Sequence, residues 1–210
     1  MQLTPLPTMA FTPQQQAITL IQNSTRILLM PSCPPDGDSL GSALALYLVL
    51  KKLGKEPTVV CADPVPDIYN FLPNLDAIGN KFNPGQDFIV TLDCSNAEVD
   101  TIRYTLEQNK VNIIITPKKG QFQDRQVSFS HGPAKYDLII IMDAGDIQQL
   151  GPFYEENIEL FYNIPTINID HHASNAHFGR VNMVDVTAAS TTEIVYRFLK
   201  ALPESAQLID

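Results

Sequence analysis

The sequence predicts an α/β protein built on an open, mostly parallel, doubly wound sheet with helices on both faces. Residues 26–30 and 138–142 form short, almost purely apolar runs, which are typical of parallel strands buried on both faces. Segments with helical patterns separate such runs, and this alternation indicates a parallel α/β sheet. The strand, loop, helix and strand expected within residues 26–62 would form a right-handed parallel unit.

The first third of the chain has clear element boundaries. Thr12-Pro13 has the composition of a helix cap and a first helical residue, so a short helix is expected over 14–21. Pro34-Pro35 cannot continue a strand or enter a helix interior, so residues 32–41 are expected to form a loop. The helix expected over 42–53 ends with two lysines and is followed by a glycine, as helix C-termini commonly are.

The rest of the chain is predicted to repeat this alternation. Further strands are expected at residues 87–92, 111–116, 138–142 and 166–169. Helices are expected at residues 98–108, 152–162 and 187–201. Residues 118–133 are polar and have no clear period, so they are expected to form an extra hairpin or a mobile loop.

Composition indicates a folded chain with one main core. It has 210 residues, of which 44% are hydrophobic and 18% charged, which excludes a disordered chain. No linker divides it, so a helical extension over 1–24 and one domain over 25–210 are expected. No apolar run approaches the roughly 18 residues of a membrane span, and no leader is visible. A cytoplasmic protein with its three cysteines reduced is therefore expected.

Acidic residues follow three of the predicted strands. They are Asp36 and Asp38 after the first strand, Asp143 after the run 138–142, and Asp170, next to His171 and His172, after the run 166–169. Ligands of doubly wound sheets collect beyond the carboxyl ends of the strands. Turn or cap chemistry explains each motif alone, but the three together favour one site. Asp93 also follows a predicted strand, yet its surroundings indicate a helix start, so it is left outside the site.

Several carboxylates at one edge of a sheet indicate a metal site. Their mutual repulsion would cost several kcal/mol in a low-dielectric cleft unless cations neutralised it. Carboxylate oxygens with one imidazole suit Mn²⁺ or Mg²⁺ better than zinc, and no cysteine cluster argues otherwise. Two such ions bridged by a carboxylate can hydrolyse a phosphate ester.

Three ordered motifs carry a family resemblance. Residues 35–42 read PDGDSLGS, residues 138–146 read LIIIMDAGD, and residues 168–172 read NIDHH, with the third motif continuing to ASTTE at 189–193. Together they resemble the motifs of the DHH phosphoesterases, most closely those of the nanoRNase and pAp phosphatase branch. The similarity runs from about residue 26 to residue 199, which is most of the chain.

The resemblance implies a two-metal site with two Mn²⁺ ions, or with Mg²⁺ in their place. Asp36 would ligate the first metal and Asp38 the second, and Asp143 would bridge both. His171 would add an imidazole to the second metal, while Asp170 would orient that imidazole or the loop that carries it.

The resemblance also implies a substrate and its contacts. His172 would face the substrate phosphate, and Asn175 would be a substrate-binding residue, with Asp143, His171 and His172 as the catalytic residues. The implied reaction is hydrolysis of phosphate esters in short oligoribonucleotides, dinucleotides or pAp. Such a short oligonucleotide or nucleotide phosphate is the expected partner. The net charge of −9 argues against duplex DNA, no membrane is expected, and a homodimer is left open.

The chain departs from the family pattern at two points. Ser32 occupies the position where the first motif has a histidine ligand. A serine hydroxyl is a poor ligand for a divalent ion, so the first metal would be bound more weakly unless the Cys33 thiol replaces the imidazole. The fourth motif and the C-terminal substrate domain are not in this sequence. Two further readings therefore stay open: a non-catalytic relative that binds a nucleotide or a partner protein, and an α/β domain with a coincidental acidic rim.

Overall fold

The protein is described here by a computed structural model that covers residues 11–81, 87–132 and 135–208. The chain forms two compact units. Unit 1 comprises Met1–Pro84 and Lys135–Asp210, and unit 2 comprises Gly85–Ala134. The sequence offered no linker at either boundary of unit 2, so this division was not anticipated. The division at residues 24 and 25 stays a prediction, but the described part of the extension packs into the core of unit 1.

Helices and strands alternate through unit 1. Its helices are α1 (Pro13–Asn23), α2 (Gly37–Lys52), α3 (Pro152–Glu155), α4 (Ile158–Asn163) and α5 (Thr191–Ala201). The described residues contain the strands β1 (Arg26–Pro31), β2 (Glu56–Val60), β3 (Ile78–Gly79), β4 (Phe88–Leu92), β5 (Glu98–Glu107), β6 (Lys110–Lys119), β7 (Val127–His131), β8 (Leu138–Met142), β9 (Thr166–Asp170) and β10 (Val181–Val184). Strands β4 to β7 belong to unit 2.

Unit 1 contains a six-stranded sheet with the order β10-β9-β8-β1-β2-β3. Every neighbouring pair in it is parallel. The register places Leu29 of β1 opposite Val59 of β2 on one side and opposite Ile140 of β8 on the other. The predicted open, parallel α/β sheet is confirmed.

Both faces of the central strands are buried. Ile27 and Leu29 of β1, with Leu138 and Ile140 of β8, join residues of α1, α2 and α5 in one hydrophobic core. The alternate side chains of these strands, such as Leu28, are fully buried as well. Since crossovers are right-handed, the connection from β8 to β9 through α3 and α4 covers the face opposite α2. Among the described helices, none is both long and apolar enough to cross a lipid bilayer.

The direction of the crossovers changes between β1 and β8. The chain leaves β1 toward β2 at one side of the sheet, and it leaves β8 toward β9 at the other. The loops that follow β1 and β8 therefore diverge at this point and leave a crevice at the carboxyl edge, the usual ligand site of open α/β sheets. The first two acidic motifs lie in these two loops.

Unit 2 corrects part of the sequence-based prediction. The expected strands at 87–92 and 111–116 exist as β4 and part of β6, but they pair antiparallel with β7 and β5 and are not part of the parallel sheet. The helix expected at 98–108 is wrong, because this segment is strand β5. Its Ile102, Tyr104 and Leu106 alternate with polar residues, and this period of two favours a strand.

Element boundaries in the last third of unit 1 and in the polar segment 118–133 also differ from the prediction. The single helix expected at 152–162 is divided into α3 and α4. Strand β10 was not predicted, and the last helix begins at Thr191, four residues later than expected. In the polar segment 118–133 the described residues include the end of β6 and all of β7, so it contains strand rather than only a loop.

Candidate functional site

Asp36 begins helix α2 and is fixed by its own cap. Its Oδ1 accepts hydrogen bonds from the backbone N–H groups of Asp38 and Ser39, at 3.0 and 2.9 Å. The Ser39 hydroxyl in turn accepts the backbone N–H of Asp36 at 3.0 Å, which completes a capping box. The cap uses one carboxylate oxygen, so it leaves Oδ2 outside these bonds.

Asp38 joins the start of α2 to the start of α5. Its Oδ2 accepts the backbone N–H of Thr191, and its Oδ1 accepts that of Thr192, both at 2.7 Å. The Thr192 hydroxyl adds a bond of 2.6 Å to Oδ1. The first turn of a helix carries partial positive charge, so it stabilises a carboxylate at this place. Asp38 therefore has a structural role in addition to any metal contact.

Asp143 follows β8 and is a buried carboxylate. Its side chain is only 5% exposed, and its backbone has φ of 61°, a left-handed conformation that aspartate tolerates better than most residues. Burial and, to a smaller extent, the charges of Asp38 and Asp36 together raise the pKa of this carboxyl from 3.8 to about 6, against a lowering by the Thr191 hydroxyl bond. A cation in the crevice would remove that penalty.

His171 faces both carboxylates without bonding directly to either. Its Nε2 lies 3.7 Å from Oδ1 of Asp143 and 3.8 Å from Oδ2 of Asp38. Both separations exceed hydrogen-bond length. An imidazole nitrogen and two carboxylates thus converge on one place.

His172 is held by Asp170. Nδ1 of His172 lies 2.7 Å from Oδ1 of Asp170, which is fully buried, so Asp170 orients His172. The other oxygen of Asp170 accepts from Asn175 in the loop after β9, and the role expected for Asp170, to orient the His171 imidazole or the loop that carries it, stays a prediction. The hydrogen bond to Asp170 raises the pKa of His172 above 6.5, with the charges of Asp170 and Asp143 adding to the effect and desolvation opposing it. The rings of His171 and His172 are 4.6 Å apart.

Asn175 uses its whole amide group to hold the loop after β9. Its Nδ2 donates to Oδ2 of Asp170 at 2.6 Å and to the Ala144 carbonyl at 3.1 Å. Its Oδ1 accepts from Asn168 at 3.0 Å and from the backbone of His177 at 2.8 Å. These contacts occupy both donors of the amide group and its oxygen, so in this structure Asn175 positions the loop after β9. Its predicted contact with substrate stays a prediction.

Ser32 and Cys33 lie between β1 and the acidic loop. Ser32 is buried, and its backbone N–H donates to the Met142 carbonyl at 3.0 Å, which extends the pairing of β1 with β8. Ser32 is therefore next to the end of β8, where Asp143 follows. The sulfur of Cys33 lies 3.5 Å from that of Cys61, so its nearest described partner is a thiol.

The residues present fit a divalent cation. One donor atom from each of Asp143, His171 and His172 lies within 4.8 Å of the others. Asp38 is next to this group through His171, and Asp36 is near enough for its charge to act on Asp143. The donors are carboxylate oxygens and imidazole nitrogens, a set that suits Mn²⁺ and related ions. Asp93 lies in unit 2, where its carboxylate accepts hydrogen bonds from Ser95, so it caps a turn.

Thr191 and Thr192 belong to the site and had no predicted role. Thr191 is fully buried and gives its hydroxyl to Asp143 at 2.8 Å and its N–H to Asp38. The sequence carried a partial signal, because Ser and Thr before a helical pattern indicate an N-terminal cap. It carried no signal that this helix start would meet carboxylates from two other loops.

Fold and site together define an α/β protein with a histidine- and carboxylate-lined crevice at the switch point of its sheet. The DHH family, N-terminal domain, matches residues 26–124. The bifunctional oligoribonuclease and PAP phosphatase NrnA of Thermus thermophilus is 27% identical over 164 residues, which are 77% of this chain and 32% of that protein. The matched segment is just under half of the chain, and together with the similarity to the Thermus protein it supports a relationship to the DHH family and to its nanoRNase branch.

A solved structure has the same fold. The crystal structure of an exopolyphosphatase-related protein from Bacteroides fragilis superposes with a TM-score of 0.60 at 17% identity, over 94% of this chain and 46% of that one. At this identity the likeness concerns the fold. The chain spans about a third of the length of the Thermus relative and under half of the Bacteroides one.

Proposed function

We propose that this chain carries the metal site of a phosphoesterase that hydrolyses phosphate esters in short oligoribonucleotides, dinucleotides or pAp. The observation that carries the proposal is the convergence of Asp38, Asp143 and His171 at the ends of different elements, with separations of 3.7 and 3.8 Å from the imidazole nitrogen. Such a group of like charges around a buried carboxylate is unfavourable without a cation.

The proposed ligand set is the one that the family resemblance implies, and the positions of Asp38, Asp143 and His171 support it. Asp36 and Asp143 would hold one Mn²⁺ ion, and Asp38, Asp143 and His171 would hold a second, with Mg²⁺ as an alternative. Asp38 accepts one described bond at Oδ2, so this oxygen keeps a lone pair for an ion. The bound ions would supply an activated water and charge neutralisation at the phosphoryl oxygens.

His172 would bind the substrate phosphate. Its side chain is 48% exposed, while Asp170 fixes the ring at Nδ1. The raised pKa of His172 increases its cationic fraction near neutral pH. A cationic, oriented imidazole at the mouth of the crevice would attract a phosphate oxygen.

The substrate class is proposed from the relative. The Thermus protein is named as an oligoribonuclease and PAP phosphatase. We infer the same class of substrate for this chain, which spans about a third of that protein. The net charge of −9 agrees with small anionic substrates bound through metal ions rather than through a basic surface.

Metal binding can be tested with variants that keep the hydrogen bonds of the fold. Millimolar Mn²⁺ should raise the Tm of the wild type by several degrees, because the ion binds only the folded state. Asp143→Asn keeps an acceptor for Thr191, and Asp36→Asn keeps the cap acceptor, yet both should reduce the rise. Asp93→Asn in unit 2 is the matched control and should preserve it. If Mn²⁺ leaves the Tm of the wild type unchanged, the proposed metal site is refuted.

Turnover is tested separately with pAp and a 5′-labelled RNA dinucleotide in the presence of Mn²⁺. Release of phosphate or mononucleotide by the wild type, and its loss in Asp143→Asn, is the expected result. The second candidate, a nucleotide-binding relative without turnover, is favoured by Ser32 at the position of a histidine ligand. Metal-dependent binding of pAp with no product over hours would select that candidate.

A further inference from the structure

Two cysteines meet at the carboxyl edge of the sheet, beside the loop of Asp36. Cys33 lies just beyond β1 and Cys61 directly follows β2, and these strands are parallel neighbours in register. Their sulfur atoms are 3.5 Å apart. The two residues are 28 positions apart in the chain, and strand pairing is what brings the thiols together.

The two thiols have different environments. Cys33 is partly exposed, whereas Cys61 is 2% exposed. A hydrogen bond from the Cys61 thiol, with backbone N–H groups of Asp63 and Ala62, lowers the pKa of Cys33 against desolvation. The hydrogen bond to Cys33 and burial raise the pKa of Cys61. Cys33 is therefore the more accessible and more acidic thiol, and Cys61 is a shielded thiol in contact with it.

We propose that Cys33 and Cys61 form a thiol–disulfide exchange site, in which Cys33 reacts first with a low-molecular-weight disulfide and Cys61 then closes a reversible intrachain disulfide. The distance supports closure. A disulfide needs its sulfurs about 2.05 Å apart, so the two sulfurs must approach by about 1.5 Å, and rotation of the Cys33 side chain with a small loop shift can supply this.

The reaction is balanced in two steps. The Cys33 thiolate attacks one sulfur of a disulfide RSSR, so the S–S bond breaks, RS⁻ leaves, and a mixed disulfide forms on Cys33. Cys61 then loses its proton to the leaving thiolate and attacks the Cys33 sulfur, which releases the second RS⁻ and forms the Cys33–Cys61 bond. Overall two thiols are oxidised and RSSR is reduced to two RSH, the second RS⁻ taking its proton from solvent.

The position of the pair gives the bond a structural consequence. Cys33 is three residues before Asp36, and its backbone N–H donates to the Gln149 carbonyl at 2.9 Å. A disulfide would tie this loop to the end of β2 as well. The exchange chemistry itself depends on neither a metal ion nor the proposed hydrolysis, so it can be tested independently of them.

The test uses oxidised glutathione as the probe. Cys94 is exposed and lies in unit 2, so Cys94→Ser removes the competing thiol and leaves the pair intact. We expect glutathione-treated Cys94→Ser protein to lose both alkylatable thiols, to show no disulfide between chains on a non-reducing gel, and to give one cross-linked peptide pair containing residues 33 and 61. Dithiothreitol should restore both thiols.

Single variants separate the two roles. In Cys61→Ala, Cys33 should accumulate a stable glutathione adduct, because no partner resolves it. In Cys33→Ala, the buried Cys61 should acquire no adduct. The proposal is overturned if the Cys94→Ser protein keeps both thiols free under excess oxidised glutathione, links between chains, or carries glutathione on Cys33 that Cys61 never displaces.

Discussion

Thr191 donates its hydroxyl to Oδ1 of Asp143 over 2.8 Å, although the two residues are 48 positions apart. The hydroxyl is fully buried and the carboxylate nearly so, so water cannot readily replace either partner. The bond connects the start of α5 to the end of β8. It gives the buried carboxylate of Asp143 a hydrogen-bond donor.

Thr191→Val should lower the free energy of unfolding by about 1–3 kcal/mol, because valine keeps the shape of threonine and leaves the buried carboxylate without its donor. Urea denaturation of the metal-free protein measures the loss. Thr187→Val is the matched control, since the Thr187 hydroxyl bonds to Asp185 at the surface and should contribute less than about 0.5 kcal/mol. Equal losses in the two variants would contradict the importance of burial.

Asp143→Asn should stabilise the metal-free protein at pH 8. The pKa of Asp143 is raised from 3.8 to about 6 in the folded state, so the folded state binds the proton more tightly, and stability falls as pH rises from about 4 to about 6. Asparagine removes that loss, which is about 1–3 kcal/mol above pH 6. Thermal unfolding with chelator across pH 4–8 should show the advantage of the variant shrinking toward pH 4. A constant difference at all pH values would exclude this cause.

Asp38→Asn and Asp36→Asn should differ sharply in stability. Both oxygens of Asp38 accept backbone N–H groups of α5, and an amide can replace only one of them, so about 1–3 kcal/mol should be lost. Asp36 uses one oxygen for both cap bonds, and asparagine caps helices as well as aspartate does. The Asp36 variant should stay within about 0.5 kcal/mol of the wild type. Chemical denaturation at pH 7 decides between these outcomes.

Asp170→Asn should lower the pKa of His172. Asp170 raises that pKa through its bond to Nδ1, whereas an amide N–H at the same place would favour the unprotonated ring. NMR titration of the metal-free protein should show the His172 midpoint falling to its ordinary value of about 6.5 or below. Asp185→Asn, which removes a carboxylate bound to Thr187 and Arg197, should leave the midpoint unchanged. An unaltered His172 midpoint in Asp170→Asn would disprove the pairing.

Strand ends were the most informative part of the sequence. The apolar runs at 26–30, 138–142 and 166–169 are all strands of the parallel sheet, because strands buried on both faces leave an uninterrupted apolar signature. The acidic residues after them meet for the same reason: parallel neighbours end at one edge. Cys33 and Cys61 follow neighbouring strands too, so the same argument could have placed these thiols together.

Hairpin β5–β6 shows where pattern reasoning was insufficient. The prediction gave residues 98–108 to a helix because a helix was expected between strands, yet Ile102, Tyr104 and Leu106 recur with a period of two. The turn consists of Gln108 and Asn109. Gln108 has φ of 45°, a conformation that usually favours glycine or asparagine, so Asn109 is the only familiar turn residue of the pair. Local sequence also could not reveal which histidine Asp170 contacts, because that depends on rotamers set by the Asn175 loop.

Asp38 contacts Thr191 and Thr192 across 153 and 154 positions of the chain, and this separation has a consequence for biosynthesis. A ribosome must deliver nearly the whole of this sequence before helix α5 can reach α2, which at 5–20 residues per second is on the order of ten seconds or more. Until then Asp38 lacks its contacts with α5, and the acidic side chains are not yet held together. At the proposed site a metal ion would therefore bind only after α5 has been synthesised, and its binding would report that α5 has docked against α2.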